Sequence, residues 1–246
     1  MLATGNKSLT NYRLSIRFDA DGFSFSVLNT LDGSTVQTDR FPVSEASATT
    51  ADVLRQALQK PYLMDYRFQG VEFAIDALST IVPLEHFNKS DMLAFYRLCF
   101  PSQQTSVADM QYQILSSLEA VMIFRLDQDI LRIVQECYPD VKVCCTDAQQ
   151  LEKFASLQER RPAPEDVEQR DAYVCFDAKR FFVAVFRRSR LQYAASQMAE
   201  NDNDRAFLLL GIWKALEMNA QRDICHLEGA SKELRNTIGE YILNIE

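Results

Sequence analysis

The sequence predicts an α/β protein made of two β-β-β-α-β-α halves, and three observations carry that prediction. Residues 12–29 alternate apolar and polar side chains at period two, the mark of half-buried strands. Three short strand-like runs joined by tight turns recur at 172–196, and helical spacing follows both runs. The unit Phe-Asp-Ala-x-x-Phe falls at the first turn of each run, FDADGF at 18–23 and FDAKRF at 176–181, offset by 158 positions (176 minus 18). Agreement of both identity and place in the order points to an internal duplication.

The first half is built as follows. YRLSIRF (12–18) places Tyr12, Leu14, Ile16 and Phe18 on one face. Asp19 to Gly22 supplies turn chemistry, FSFSVLN (23–29) alternates again through Phe23, Phe25 and Val27, and LDGST (31–35) turns the chain into VQTDRF (36–41). These strands form an antiparallel meander. TTADVLRQALQK sets Val53, Leu54, Ala57 and Leu58 on one helical stripe, with Thr49 or Thr50 as N-cap. VEFAID (71–76) is a strand, STIVP (79–83) a short, fully buried one, and NKSDMLAFYRLCF (88–100) a helix capped near Ser90. EAVMIFRL (119–126) then reads as a strand, DQDILRIVQECY (127–138) as a helix and VKVCC (141–145) as a strand. DAQQLEKFASLQER (147–160) is a helix with Asp147 as its cap.

RPAPEDVEQ (161–169) interrupts the pattern with two prolines and charge, so it is the linker between a first half at 1–160 and a second at 170–246. AYVCFD (172–177), RFFVAVF (180–186) and RLQYAAS (190–196) repeat the meander. DNDRAFLLLGIWKALEM (202–218) is a helix capped at Asp202 or Asn203; its apolar run, with the single tryptophan Trp213, is expected in the core. ICHLEG (224–229) is a strand, and SKELRNTIGEYIL (231–243) a closing helix. The second half is short and is expected to lack the last strand–helix elements.

Composition sets the outer bounds. With 246 residues, 47% hydrophobic and 24% charged, the chain is an ordinary globular protein. A formal net charge of −8 opposes binding to nucleic acid or anionic lipid. The start carries no apolar signal core, and no run of about 18 apolar residues could span a membrane. A cytoplasmic protein is expected, with no nucleic-acid or membrane partner. Arg187, Arg188 and Arg190, close to Phe186 and Tyr193, read as a solvated hairpin tip. Cys99, Cys137, Cys144, Cys145, Cys175 and Cys225 show no CxxC spacing, and His86 and His226 are the only histidines. Reduced thiols are expected, without a zinc site. No nucleophile elbow or Walker loop occurs.

Two copies of a β-β-β-α-β-α unit resemble the actin-like ATPase fold, also called ribonuclease H-like. Members of that fold hold nucleotide in a cleft between the halves, with a glycine-rich β-hairpin from each half on the phosphates and a Gly-Gly turn beside the adenosine. Glycine suits this task because it lets phosphate approach the backbone N–H groups and tolerates positive φ. An Asp at the end of the first strand reaches Mg²⁺ or its waters. Carried over residue by residue, the resemblance implies a contact set of Asp19 and Gly22 in the first hairpin, Asp177, Lys179 and Arg180 in the second, and Gly229 in LEGAS (227–231). Mg²⁺ would sit on Asp19 and Asp177. The departures are as informative. Asp21 adds a repelling carboxylate, the second hairpin has no glycine, Glu228 replaces the first glycine of the adenosine turn, and the whole chain has only seven glycines. ICHLEGASKELRNTIGEYILNIE (224–246) and the Phe-Leu-Leu-Leu helix are similar to a Bacteroidetes family of unknown function with a degenerate actin-like fold.

Each site residue therefore has two readings. Asp19 and Asp177 bind Mg²⁺ and phosphate, or each is a turn residue whose carboxylate bonds its own backbone two positions on. Lys179 and Arg180 grip phosphate, or they pair with Asp19 or Asp21 from the other half. A ribonuclease H-type cluster of Asp19, Asp76 and Asp177 is disfavoured, because the duplication puts Asp177 in the other copy. The expected function is a non-catalytic interaction or scaffold protein, a pseudo-ATPase with a protein partner and no catalytic residue. The alternative is a nucleotide-binding ATPase or phosphotransferase of the actin and sugar-kinase type with divergent phosphate loops, for which Mg-ATP is the cofactor.

Overall fold

A computed structural model of the chain describes residues 11–43, 49–65, 68–162, 166–177 and 179–246. Residues 163–165 of the linker, Pro164 among them, and the turn residue Ala178 lie outside the described residues. The chain divides into two compact units, each discontinuous in sequence. One comprises Met1–Ala77, Gln104–Tyr112 and Phe124–Thr146; the other comprises Leu78–Gln103, Gln113–Ile123 and Asp147–Glu246.

The first unit holds a five-stranded sheet. Strands β1 (Tyr12–Asp19), β2 (Gly22–Asn29) and β3 (Thr35–Pro42) form the meander, and β4 (Gly70–Ile75) and β8 (Lys142–Cys145) add parallel strands in the order β3-β2-β1-β4-β8. Leu14 and Ile16 on β1, and Phe23, Phe25 and Val27 on β2, are fully buried, as their alternation predicts. Helices α1 (Thr50–Leu58) and α4 (Gln128–Cys137) pack against each other in this unit. Thr49 caps α1 by accepting from Asp52 N, and Asp127 caps α4 by accepting from Asp129 N and Ile130 N. The short helix α2 (Pro61–Asp65) leads toward β4.

Strands β5 (Ser79–Pro83), β6 (Met110–Leu115) and β7 (Ala120–Arg125) form a three-stranded sheet in the order β5-β7-β6. Only Ser79 and Val82 of β5 are fully buried, so that strand is less enclosed than its apolar run suggests. MQYQIL of β6 gives no core-facing alternation, because only its end residues Met110 and Leu115 are buried; the sequence did not reveal it. The helix predicted from Ser90 is α3 (Met92–Cys99), entered through a 3₁₀ turn at Lys89–Asp91 that Asn88 caps.

The second unit contains a four-stranded sheet of β9 (Asp171–Phe176), β10 (Arg180–Arg187), β11 (Arg190–Met198) and β12 (Ile224–Glu228). Its order, β11-β10-β9-β12, matches β3-β2-β1-β4: the first strand lies between the antiparallel second and the parallel fourth. Besides α3, this unit holds α5 (Thr146–Arg160), α6 (Asp202–Ala215) and α7 (Lys232–Gly239). Asn201 caps α6, one residue before the predicted Asp202, because its Oδ1 reaches Asp204 N. Ser231 caps α7. The fifth sheet position, predicted to be missing, carries a minimal substitute. Residues 244–246 run beside β12 through a parallel bridge, Cys225 to Ile245, with three backbone hydrogen bonds at 2.9–3.0 Å.

Candidate functional site

The repeated Phe-Asp-Ala-x-x-Phe unit closes a hairpin in both units, and it does so in the same register. Phe18 pairs across from Phe23 at the β1–β2 turn, and Phe176 from Phe181 at the β9–β10 turn. The rings meet at 4.5 Å and 5.4 Å between centroids, an aromatic pair at each hairpin end. Phe181 is fully buried, as is Phe23.

In the first hairpin, Asp19 Oδ1 accepts from Asp21 N at 2.8 Å, so its carboxylate organises its own turn two residues on. Arg40 of β3 approaches Asp21 at 3.4 Å and Asp19 at 3.7 Å, a loose and exposed ion pair. Gly22 has φ +133°, and a Cβ there would lie 2.2 Å from the carbonyl oxygen of Phe41. The close approach of β3 therefore demands this glycine, independently of any ligand. Asp76, just beyond β4, binds Arg17 at 3.0 Å and accepts from Thr146 Oγ1.

The second hairpin is tied down differently. Asp177 N donates to Arg180 O at 2.9 Å, and Arg205 of α6 donates to Asp177 O at 2.6 Å. Asp177 and Lys179 stand exposed at the turn. Arg180 turns toward α5, where its guanidinium pairs with Asp147. Asp147 is fully buried. Its Oδ2 also accepts from Ser79 Oγ at 2.7 Å and Ser196 Oγ at 2.6 Å. The predicted capping role of Asp147 is thus corrected: α5 starts one residue earlier, and Asp147 points inward from its first turn. The carboxylate partner of Arg180 is Asp147, while Asp19 and Asp21 face Arg40.

Gly229 follows β12 with φ +75°, and a Cβ there would lie 2.6 Å from Phe176 O at the end of β9. This glycine serves strand-end packing beside the second hairpin. Glu228, at the end of β12, receives Lys153 Nζ at 2.6 Å and Gln150 Nε2 at 3.2 Å, both from α5.

A further polar network escaped the sequence, which offered His226 only as a structural histidine. Buried Asp171 accepts from Gln158 Nε2 at 3.2 Å and lies 3.0 Å from His226 Nε2. Tyr173 stacks on the His226 ring at 4.2 Å and donates to Gln158 Oε1 at 2.9 Å. Burial, then the nearby Asp171 charge, pushes the Tyr173 hydroxyl up to about 12. Arg161 grips Glu246 with both terminal nitrogens, at 2.7 Å and 3.2 Å, and this hydrogen bonding holds the Glu246 carboxyl below its ordinary value. The network fixes the strand-like residues 244–246 to α5 and β9. No signal local in sequence announces it, because its members come from four separate segments.

Among the described residues no group of three or more His, Cys, Asp or Glu side chains could hold a metal ion. All six cysteines are free thiols. No helix among the described residues is long and apolar enough to cross a membrane.

Hairpins of matching register on sheets of matching order define the class: an actin-like ATPase fold. The chain belongs to the family described as protein of unknown function DUF3822, whose model matches residues 4–245. A Bacteroides thetaiotaomicron protein, described as having an actin-like ATPase fold and unknown function, is 25% identical. That likeness covers 100% of this chain and 93% of that one, with a TM-score of 0.81. The PilM–PilN type IV pilus biogenesis complex is 13% identical over 95% of this chain and 90% of that chain, with a TM-score of 0.48. The cytoplasmic domain of EpsL, an inner membrane component of the Vibrio cholerae type II secretion system, is 14% identical over 95% of this chain and 96% of that chain, with a TM-score of 0.43. No curated protein matches the sequence.

Proposed function

We propose that this protein is a cytoplasmic, non-catalytic interaction protein, a pseudo-ATPase that keeps a duplicated actin-like frame without its nucleotide chemistry. The observation that carries this reading is the commitment of Arg180 to the buried Asp147. A phosphate could recruit that guanidinium only by leaving Asp147 as a buried, unpaired carboxylate, which costs several kcal/mol, on the order of 3–5. No glycine stands at 179–181 to let phosphate reach the backbone instead.

The other motif residues support the same reading. Asp19 is engaged by its own turn, and Gly22 and Gly229 are required by close backbone approaches. Asp21 and Glu228 add carboxylates where the fold's nucleotide-binding members favour glycine. These residues do not fit a Mg-nucleotide, so no catalytic step is assigned to them. Free thiols at all six cysteines suit a reducing compartment.

A thermal-shift titration with ATP and ADP, with and without Mg²⁺, tests this. A nucleotide at about a hundred times its Kd adds roughly 2.7 kcal/mol, equivalent to several degrees in Tm. A flat response at millimolar nucleotide is expected. A saturable, Mg²⁺-dependent rise, lost in Asp19→Ala and Asp177→Ala, would overturn the reading in favour of an ATPase or phosphotransferase.

A further inference from the structure

Helix α6 packs most of its apolar side chains against the core, Leu208, Leu210 and Ile212 half-buried among them, but leaves one large apolar side chain outside. Ala206, Leu209 and Trp213 belong to the core beneath the second sheet. Phe207, adjacent in sequence, is 77% exposed. Spacing of three to four residues puts Asn203, Phe207, Gly211 and Lys214 along the outward stripe, and all four are exposed. Beside Phe207 lies Met198, at the end of β11 and 60% exposed. With Leu208 they line a notch of about 360 Å³ whose rim carries Glu200, Asp204 and Lys179.

The fold does not require this exposure. Helix α1 follows its meander just as α6 follows β11, and α1 turns Asp52, Arg55 and Gln56 to solvent. A phenylalanine and a methionine side by side on an acidic protein are a contiguous apolar patch, the kind of surface that marks an interaction site. The unbranched thioether of Met198 can adapt to a partner's side chains.

We infer that this notch docks a basic amphipathic helix of a partner protein. Its apolar side chains, spaced three and four residues apart, would seat against Phe207, Leu208 and Met198, with flanking Lys or Arg meeting Glu200 and Asp204. Charge selects this occupant. The lining offers two carboxylates against one ammonium on a chain of net charge −8, so a basic partner is attracted. A second copy docking about a two-fold axis would set the same carboxylates face to face. The inference rests on the interaction-protein reading and names its surface.

The test is fluorescence anisotropy on the full chain, with a labelled Leu/Lys amphipathic helical peptide and a Leu/Glu peptide of identical apolar spacing as probes. Saturable binding of the Leu/Lys peptide is expected, at least about tenfold weaker for Phe207→Ala, unchanged for the exposed Leu31→Ala, and absent for the Leu/Glu peptide. The high exposure of Phe207 lets that variant fold, which circular dichroism checks. Equal binding by wild type and Phe207→Ala, or no binding, would overturn the proposal. So would self-association abolished by Phe207→Ala, which would assign the patch to a second copy. Mg-ATP added to the same samples separates the two claims. A flat nucleotide response with no peptide binding removes only the docking surface, whereas nucleotide stabilisation removes the interaction-protein reading itself.

Discussion

Replacing Asp147 by Ala should be among the most damaging single changes in the second unit. The carboxylate is fully exposed to none of the solvent, at 0% side-chain exposure, and the Arg180 side chain beside it is only 16% exposed. Alanine leaves that guanidinium uncompensated and takes the acceptor from Ser79 and Ser196. Breaking a buried ion pair by removing one partner costs about 3–5 kcal/mol. An orphaned buried hydroxyl such as that of Ser79 adds about 1 kcal/mol, while the part-buried Ser196 can turn to water. A loss of about 5 kcal/mol is therefore expected, a large share of the roughly 5–15 kcal/mol that holds a domain folded. It corresponds to a Tm lower by about 10–20 °C. Denaturant unfolding followed by fluorescence of Trp213, the only tryptophan and a member of this unit's core, reads the effect directly. Arg40→Ala supplies the contrast. Its partners Asp19 and Asp21 are surface groups, so it should cost no more than about 1 kcal/mol. The double replacement Asp147→Leu with Arg180→Met should recover most of the loss, because an apolar pair needs no compensation. If Asp147→Ala costs less than about 1 kcal/mol, or no more than Arg40→Ala, the buried network is not holding Arg180, and its guanidinium is free to meet a phosphate.

Two further outcomes follow from the geometry. Gly22→Ala should cost about 3 kcal/mol or more, since φ is +133° and the new Cβ would fall 2.2 Å from Phe41 O. Gly33→Ala, at φ +71° with nothing within 4 Å, should cost only about 1–2 kcal/mol. Equal urea midpoints for the two variants would contradict this. Glu246→Gln should reduce stability at neutral pH but not in acid. Hydrogen bonding from Arg161 lowers the native carboxyl below its ordinary value of 4.5, so its contribution is fully present above 4.5 and lost as pH falls through the lowered native value. The Tm gap between wild type and variant should close in that window, and a gap that ignores pH would refute the linkage.

How much of this was legible in the sequence depended on the distance over which each signal acts. The strands of both meanders were readable because alternation is local: Leu14, Ile16, Phe23 and Phe25 are buried where period two puts them. The caps of α1 and α6 were readable within a residue because a cap binds its own helix: Thr49 is one of the two threonines expected, and Asn201 stands one residue before the expected Asp202. Asp147 failed for the opposite reason. An Asp at the head of a helical run looks like a cap, but its partners lie 33, 49 and 68 residues away in sequence. Nothing near Asp147 distinguishes an aspartate that caps from one that turns inward to meet Arg180. The network of Arg161, Asp171, His226 and Glu246 was hidden in the same way, and β6 because its buried residues sit only at its ends.

The two Phe-Asp-Ala-x-x-Phe copies bring these lines together. A repeated phosphate motif should keep the features that phosphate needs, namely glycine and open backbone N–H groups. What the copies share is the pair of phenylalanines, which meet across the hairpin in each copy, and the Asp-Ala that follows the first of them. The next two residues diverge, Asp21-Gly22 in one copy against Lys179-Arg180 in the other. In one copy Asp21 and Gly22 serve the β1–β2 turn and the passage of β3, while in the other Arg180 is drawn away to Asp147. Packing of the hairpin ends accounts for the common phenylalanines, and separate local contacts account for the two positions that differ. A requirement to hold the same nucleotide from both sides would also have kept glycine at those positions in both copies.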